Sequence, residues 1–137
     1  MTVIDMQMMR YLNLFNKISH VPTTRCFIYN NVILFAVPAA MVSRAIVMNG
    51  RNVRLMQETL GKRIKIISEA HGLRDVERFL RDVVEPVGFK SVSLQDDEAI
   101  ITAGGQYKAA LIGRNKVRLF ELELIIQNVF GKQLRIV

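Results

Sequence analysis

The chain has 137 residues, 50% of them hydrophobic, with one cysteine and a formal net charge of +7. This length allows one domain or two very small ones, and the apolar content suffices for a core. A single cysteine excludes an intrachain disulfide and cysteine zinc clusters, and the longest apolar run, Val32 to Val42, is interrupted by Pro38 and too short to span a bilayer.

Ile4, Met8, Tyr11, Leu12, Phe15 and Ile18 recur at helical spacing and predict a helix over 4–18, ended by His20-Val21-Pro22. The start of the chain lacks the basic, apolar and small-residue order of a signal peptide, so a soluble, cytoplasmic protein is expected. Arg25 to Tyr29 and Val32 to Val37 read as strands joined by an Asn30-Asn31 hairpin turn. Cys26 fits the first strand as a small buried hydrophobe. Pro38 opens a short helix over Ala39 to Val47, Asn49-Gly50 breaks it, and a second helix runs from Arg51 to Leu60 with Gly61 as its C-cap. Lys62 to Ile67 alternates as a strand.

The second half repeats this order. Leu73 to Val84 is amphipathic and closed by Pro86 and Gly88. Strands follow at Phe89 to Leu94 and Glu98 to Ala103, around a Gln95-Asp96-Asp97 turn. Gln106 to Ile112 is a short helix, Gly113 to Lys116 a loop or sharp bend, Val117 to Phe130 a longer helix, and Lys132 to Val137 the last strand. Each half therefore reads helix, strand, strand, helix, helix, strand. The expected division is 1–70 and 71–137. The junction at Ser68 to Gly72 has no long Gly/Ser or Pro tract, which predicts a fixed relative orientation. A lone unit of about 65 residues would be marginal, so the halves are expected to pack together.

The repeat can be aligned residue by residue. Val53, Met56 and Leu60 match Leu119, Leu122 and Ile126 at an offset of 66, and the stretch Leu60 to Ile66 then matches Phe130 to Ile136 at an offset of 70. Four extra residues are about one helical turn, so an insertion of that size keeps the same helix face inward. Charge follows the repeat. Arg44 to Lys65 carries six basic residues against Glu58 alone, and Lys108 to Arg118 carries four with no acid. Basic clusters on a repeated element favour a polyanion, nucleic acid first.

Between the paired helices of each half lies a four-residue loop, Val47-Met48-Asn49-Gly50 and Gly113-Arg114-Asn115-Lys116. The element order and the loop resemble the type II KH domain, in which two helices joined by a G-x-x-G loop clamp the backbone of about four nucleotides. Glycines let such a loop approach phosphates, and the following helix N-terminus favours anions. Val47 replaces the leading glycine of the first loop and Lys116 the closing glycine of the second. Asn49 tolerates left-handed backbone angles, and Lys116 supplies a cation.

The resemblance implies an α+β fold of two type II KH units, each a three-stranded sheet with helices packed on one face. Two such units in a short basic chain, over roughly Met6 to Val137, resemble the archaeal NusA-like transcription factors. That resemblance implies an RNA-binding factor in transcription elongation and termination. Its partners would be the single-stranded nascent transcript and, as a candidate, RNA polymerase. It implies no cofactor, no metal, no catalysis and no membrane, and a monomer is expected. Carried over by position, RNA contacts would come from Arg44, Val47, Met48, Asn49, Gly50, Arg51, Asn52 and Arg54, and from Lys108, Gly113, Arg114, Asn115, Lys116 and Arg118. Ile46, Val53, Ile66, Ile112, Leu119 and Ile136 are the candidate groove walls for bases. Replacing Gly113 and Lys116 together is expected to weaken binding while the fold survives.

Two other classes compete with this reading. For an enzyme, His20 and His71 lack neighbours in metal-ligand spacing, Asp96-Asp97-Glu98 falls at a hairpin turn, and Gly104-Gly105 lacks the Lys-Ser/Thr of a P-loop. A protein-interaction adaptor built on degenerate KH units is the alternative, favoured by Val47 and Lys116. The acidic turn and the Met-rich start (Met1, Met6, Met8, Met9) would be its surfaces for a polymerase or ribosome, although such methionines also suit ordinary helix packing.

Overall fold

A computed structural model describes residues 6–21, 23, 25–42 and 50–137. The chain divides into two compact units, Met1–Glu69 and Ala70–Val137. The fold is α+β, with two three-stranded sheets and helices, consistent with two KH-like units.

In the first unit, helix α1 (Met6–Ser19) precedes strands β1 (Arg25–Tyr29) and β2 (Val32–Val37). The strands form an antiparallel hairpin closed by the pair Tyr29 and Val32. Asn30 and Asn31 both take left-handed angles, φ 51 and 63, as a two-residue turn between right-twisted strands requires. After Pro38, the expected short helix is described as a 3₁₀ turn, Ala39–Met41, followed by Val42; its remainder, residues 43–47, lies outside the described residues. Helix α2 (Gly50–Leu60) then leads into β3 (Arg63–Ser68), which pairs parallel to β2. A parallel partner needs a crossover connection, usually helical, and α2 lies within it.

Tyr11, Leu12 and Phe15 of α1 pack with Ile33, Phe35 and Val37 of β2 and Met56 of α2. The Phe15 and Phe35 rings stack at 4.3 Å. Cys26 is buried in this cluster, with its thiol 3.7 Å from the Met8 carbonyl. Leu34 and Ala36 on the opposite face of β2 are buried as well, which is why Val32 to Val37 shows no apolar–polar alternation.

The second unit repeats the plan with a different entry. The expected helix over Leu73 to Val84 is a 3₁₀ turn, Leu73–Asp75, followed by α3 (Val76–Val84). Asp75, at φ −93 and ψ 2, marks the change, and its carboxylate accepts a hydrogen bond from the His71 N–H at 2.8 Å. Strand β4 (Ser91–Gln95) starts two residues later than the sequence suggests. Arg81 takes the carbonyls of Phe89 and Lys90 at 3.1 and 3.3 Å, and its guanidinium lies 4.3 Å from the Phe89 ring centre. Strand β5 (Glu98–Thr102) pairs antiparallel to β4 and parallel to β6 (Gln133–Ile136). Between them run α4 (Gly105–Ile112), the turn Arg114–Lys116 and α5 (Val117–Phe130). Phe79, Leu80, Ile101, Leu111, Leu122 and Ile126 are fully buried, and Phe79 meets Phe130 edge-to-face at 5.6 Å.

The change of offset has a plain structural counterpart. From the aligned positions Arg51 and Val117, α2 runs to Leu60 and α5 to Phe130, so the later helix is one turn longer. Met56 and Leu122, matched at the offset of 66, are both buried. The helix ends are also matched. Gly61 and Gly131 are both left-handed caps at φ 67. The lysine after each reaches the hairpin turn of its own unit. Lys62 Nζ donates to Asn31 Oδ1 at 2.9 Å, and Lys132 Nζ donates to the Asp96 carbonyl at 2.6 Å.

Candidate nucleic-acid interface

The loop of the second unit is a left-handed hinge between two helices. Helix α4 stops at Gly113, whose N–H still donates to Ala109 O at 2.9 Å while its own angles, φ 76 and ψ 172, leave the helical region. A single turn follows, closed by Lys116 N–H to Gly113 O at 3.2 Å. Asn115 and Lys116 both lie in the left-handed region, at φ 56 and 61. Lys116 thus adopts at the closing position the conformation a glycine takes without cost. It is the N-cap residue of α5, which has no side-chain cap and no acid in its first turn. The N–H groups that begin a helix have no acceptor within it, and the dipole makes that end positive.

Cations surround this end. Arg114 and Lys116 are exposed in the turn and Lys108 is exposed on α4. Among the described residues none of the three forms an ion pair. Four acids of this unit are paired with other cations: Asp75 and Asp82 with Arg78, Glu77 with Arg81, and Glu98 with Arg135. Asp96 and Asp97 form the two-residue turn between β4 and β5, closed by the register pair Gln95 and Glu98.

Arg118 differs from these cations. Its Nη1 donates to Ala110 O at 3.1 Å, so part of the guanidinium ties the end of α4 to the start of α5. Its side chain also occupies the space beside Gly113, where an added Cβ would lie 2.8 Å from Arg118 Cγ. Gly113 is therefore required twice, by its positive φ and by this close approach. Replacing Gly113, as in the expected Gly113 and Lys116 double substitution, therefore carries a cost in stability as well as in binding.

In the first unit, Arg44, Val47, Met48 and Asn49 lie outside the described residues. Gly50 opens α2, and Arg51 and Asn52 follow within its first turn, which contains no acid. Arg54 is exposed and lines an open cleft of about 580 Å³ with Asn30, Asn31, Gln57, Glu58, Lys62 and Arg63. Lys62 and Arg63 were not among the expected contacts. The signal for them in the sequence is their place in the basic cluster Arg44 to Lys65, directly after the Gly61 cap. Of the groove candidates, Val53, Ile66, Ile112, Leu119 and Ile136 are all half-buried, while Ile46 lies outside the described residues. Half-exposed aliphatic side chains suit a wall that a base could cover.

No protein-family model matches the chain. It is 27% identical over 106 residues to a probable transcription termination protein NusA of Methanocaldococcus jannaschii, covering 74% of this chain and 56% of that protein. The chain thus spans little more than half the length of that curated relative. Among solved structures, the crystal structure of APE1850 superposes with a TM-score of 0.70 at 26% identity, covering 98% of this chain and 100% of that one. Among the described residues, no helix is long and apolar enough to cross a membrane.

Proposed function

We propose that the chain is a non-catalytic, NusA-like RNA-binding factor that acts in transcription elongation and termination in the cytoplasm. It would work as two KH-type units, 1–70 and 71–137, that grip single-stranded RNA of the nascent transcript. The observation that carries this reading is the turn Gly113–Lys116. It places the exposed cations Arg114 and Lys116 directly before the N-terminus of α5, with no side-chain cap and no acid in the first turn of that helix. Such a site takes the sugar–phosphate backbone of a flexible strand, and the half-exposed aliphatic residues Ile112, Leu119 and Ile136 would contact its bases. The likeness to the Methanocaldococcus jannaschii protein supports the assignment to transcription.

The test is RNA affinity against salt, measured by fluorescence anisotropy on a panel of single-stranded RNAs. Each phosphate neutralised contributes a log–log slope of about −0.7. Replacing Arg114 and Lys116 by glutamate together should lower affinity more than tenfold and flatten the slope. A slope near zero for the native chain, or an unchanged affinity in the double variant, would overturn this reading. The lysine at the closing glycine position favours a second reading, a polymerase or ribosome adaptor on a KH scaffold, and a flat salt dependence is its signature.

A further inference from the structure

Val117, Phe120 and Leu124 are 55%, 60% and 56% exposed. Spacings of three and four place them in one row on α5, on the side opposite the buried Leu122, Ile125 and Ile126. The repeat offset of 66 aligns them with Arg51, Arg54 and Glu58 of α2. A position set that carries charge throughout in the first unit is apolar throughout in the second. Scattered surface hydrophobes are ordinary. A contiguous row whose repeat counterpart is fully charged marks a surface that is covered in use.

The charges bordering the row say by what. Its N-terminal end is basic, with Arg114 and Lys116 exposed, and exposed Glu123 sits one turn beyond Phe120. We propose that this face pairs with the same face of a second copy of the chain, the two α5 helices running antiparallel about Phe120. Phe120 would then meet the partner subunit's Phe120. Val117 would meet the partner subunit's Leu124, and the basic end would lie against the partner subunit's Glu123. The arrangement is self-complementary, as a two-fold interface must be, and it also opposes the helix dipoles. A parallel pairing would instead place the two basic ends together. One helix row per copy is a small interface, so the dimer is weak, with a Kd on the order of 100 µM. The inference replaces the expected monomer and does not depend on RNA binding.

Sedimentation equilibrium of the full chain without RNA, from about 10 µM to about 1 mM, should show a monomer–dimer equilibrium. Phe120→Glu should be monomeric throughout, with unchanged circular dichroism because the residue is exposed. Lys116→Glu and Glu123→Lys should each weaken the dimer several-fold, and the double swap should recover most of the loss. A native chain that stays monomeric over the whole range would overturn the proposal; the row would then serve a different protein. So would a dimer that survives Phe120→Glu, or a charge swap without recovery.

Discussion

The Arg118 guanidinium donates to the Ala110 carbonyl at 3.1 Å across the Gly113 turn, joining the last turn of α4 to the first turn of α5. A residue that reads from sequence as a phosphate contact is thus also the clasp of the loop. Arg118→Ala should lower stability by about 1 kcal/mol, the worth of a part-exposed charged hydrogen bond, seen as a lower urea midpoint. RNA affinity should fall as well, because the turn loses its brace. If affinity falls with stability unchanged, Arg118 acts on RNA alone.

Lys116 holds left-handed angles with a side chain attached. Lys116→Gly should remove a backbone cost of about 1–2 kcal/mol, partly offset by the greater freedom of glycine in the unfolded chain. A net gain of roughly 0.5–1 kcal/mol is expected in chemical denaturation. The same variant removes a cation, so the salt slope for single-stranded RNA should become shallower by about 0.7. Stability and affinity should therefore move in opposite directions.

Gly113→Ala should be costly despite its small size. The added carbon meets Arg118 Cγ at 2.8 Å and sits on a backbone at φ 76. A loss of roughly 2 kcal/mol is expected, measured by urea unfolding. Gly131→Ala is the control, since it shares a positive φ but has nothing within 4 Å of the added carbon. It should cost less.

The stacked pair Phe15 and Phe35 anchors the core of the first unit, and both rings are fully buried. Phe35→Ala should destabilise by about 3–5 kcal/mol, read as a large drop in thermal midpoint by circular dichroism. Phe35→Leu should recover much of that loss, since it restores most of the buried volume.

Much of the fold was legible because its signals are local. Asn30-Asn31 and Gly61 announced a turn and a cap, and the apolar spacing of Val117 to Phe130 announced a helix with matching bounds. The errors fall where a distant group intervenes. Strand β4 starts late because Arg81, on another element, takes two of the carbonyls that precede it. The helix expected from Leu73 is broken at Asp75, whose carboxylate bonds the His71 N–H. The candidate loop was located by the repeat, but the division of labour within it was not. Arg114, Lys116 and Arg118 look alike in sequence; the Ala110 carbonyl and the close approach to Gly113 set the third apart.

By itself, the sequence determined the repeat, the element order, the extra turn of the second long helix and the clustering of basic charge on the loops. These depend on residue periodicity, on glycine and asparagine backbone freedom, and on composition, all of which act within a few residues. The tertiary structure decided the parallel pairing of β2 with β3 and of β5 with β6. It decided the left-handed setting of Lys116, the clasp made by Arg118 and the exposure of Val117, Phe120 and Leu124. Each of these depends on which distant surface a side chain or strand edge meets, and hydrophobic spacing alone does not say which apolar face of a helix is left for a partner.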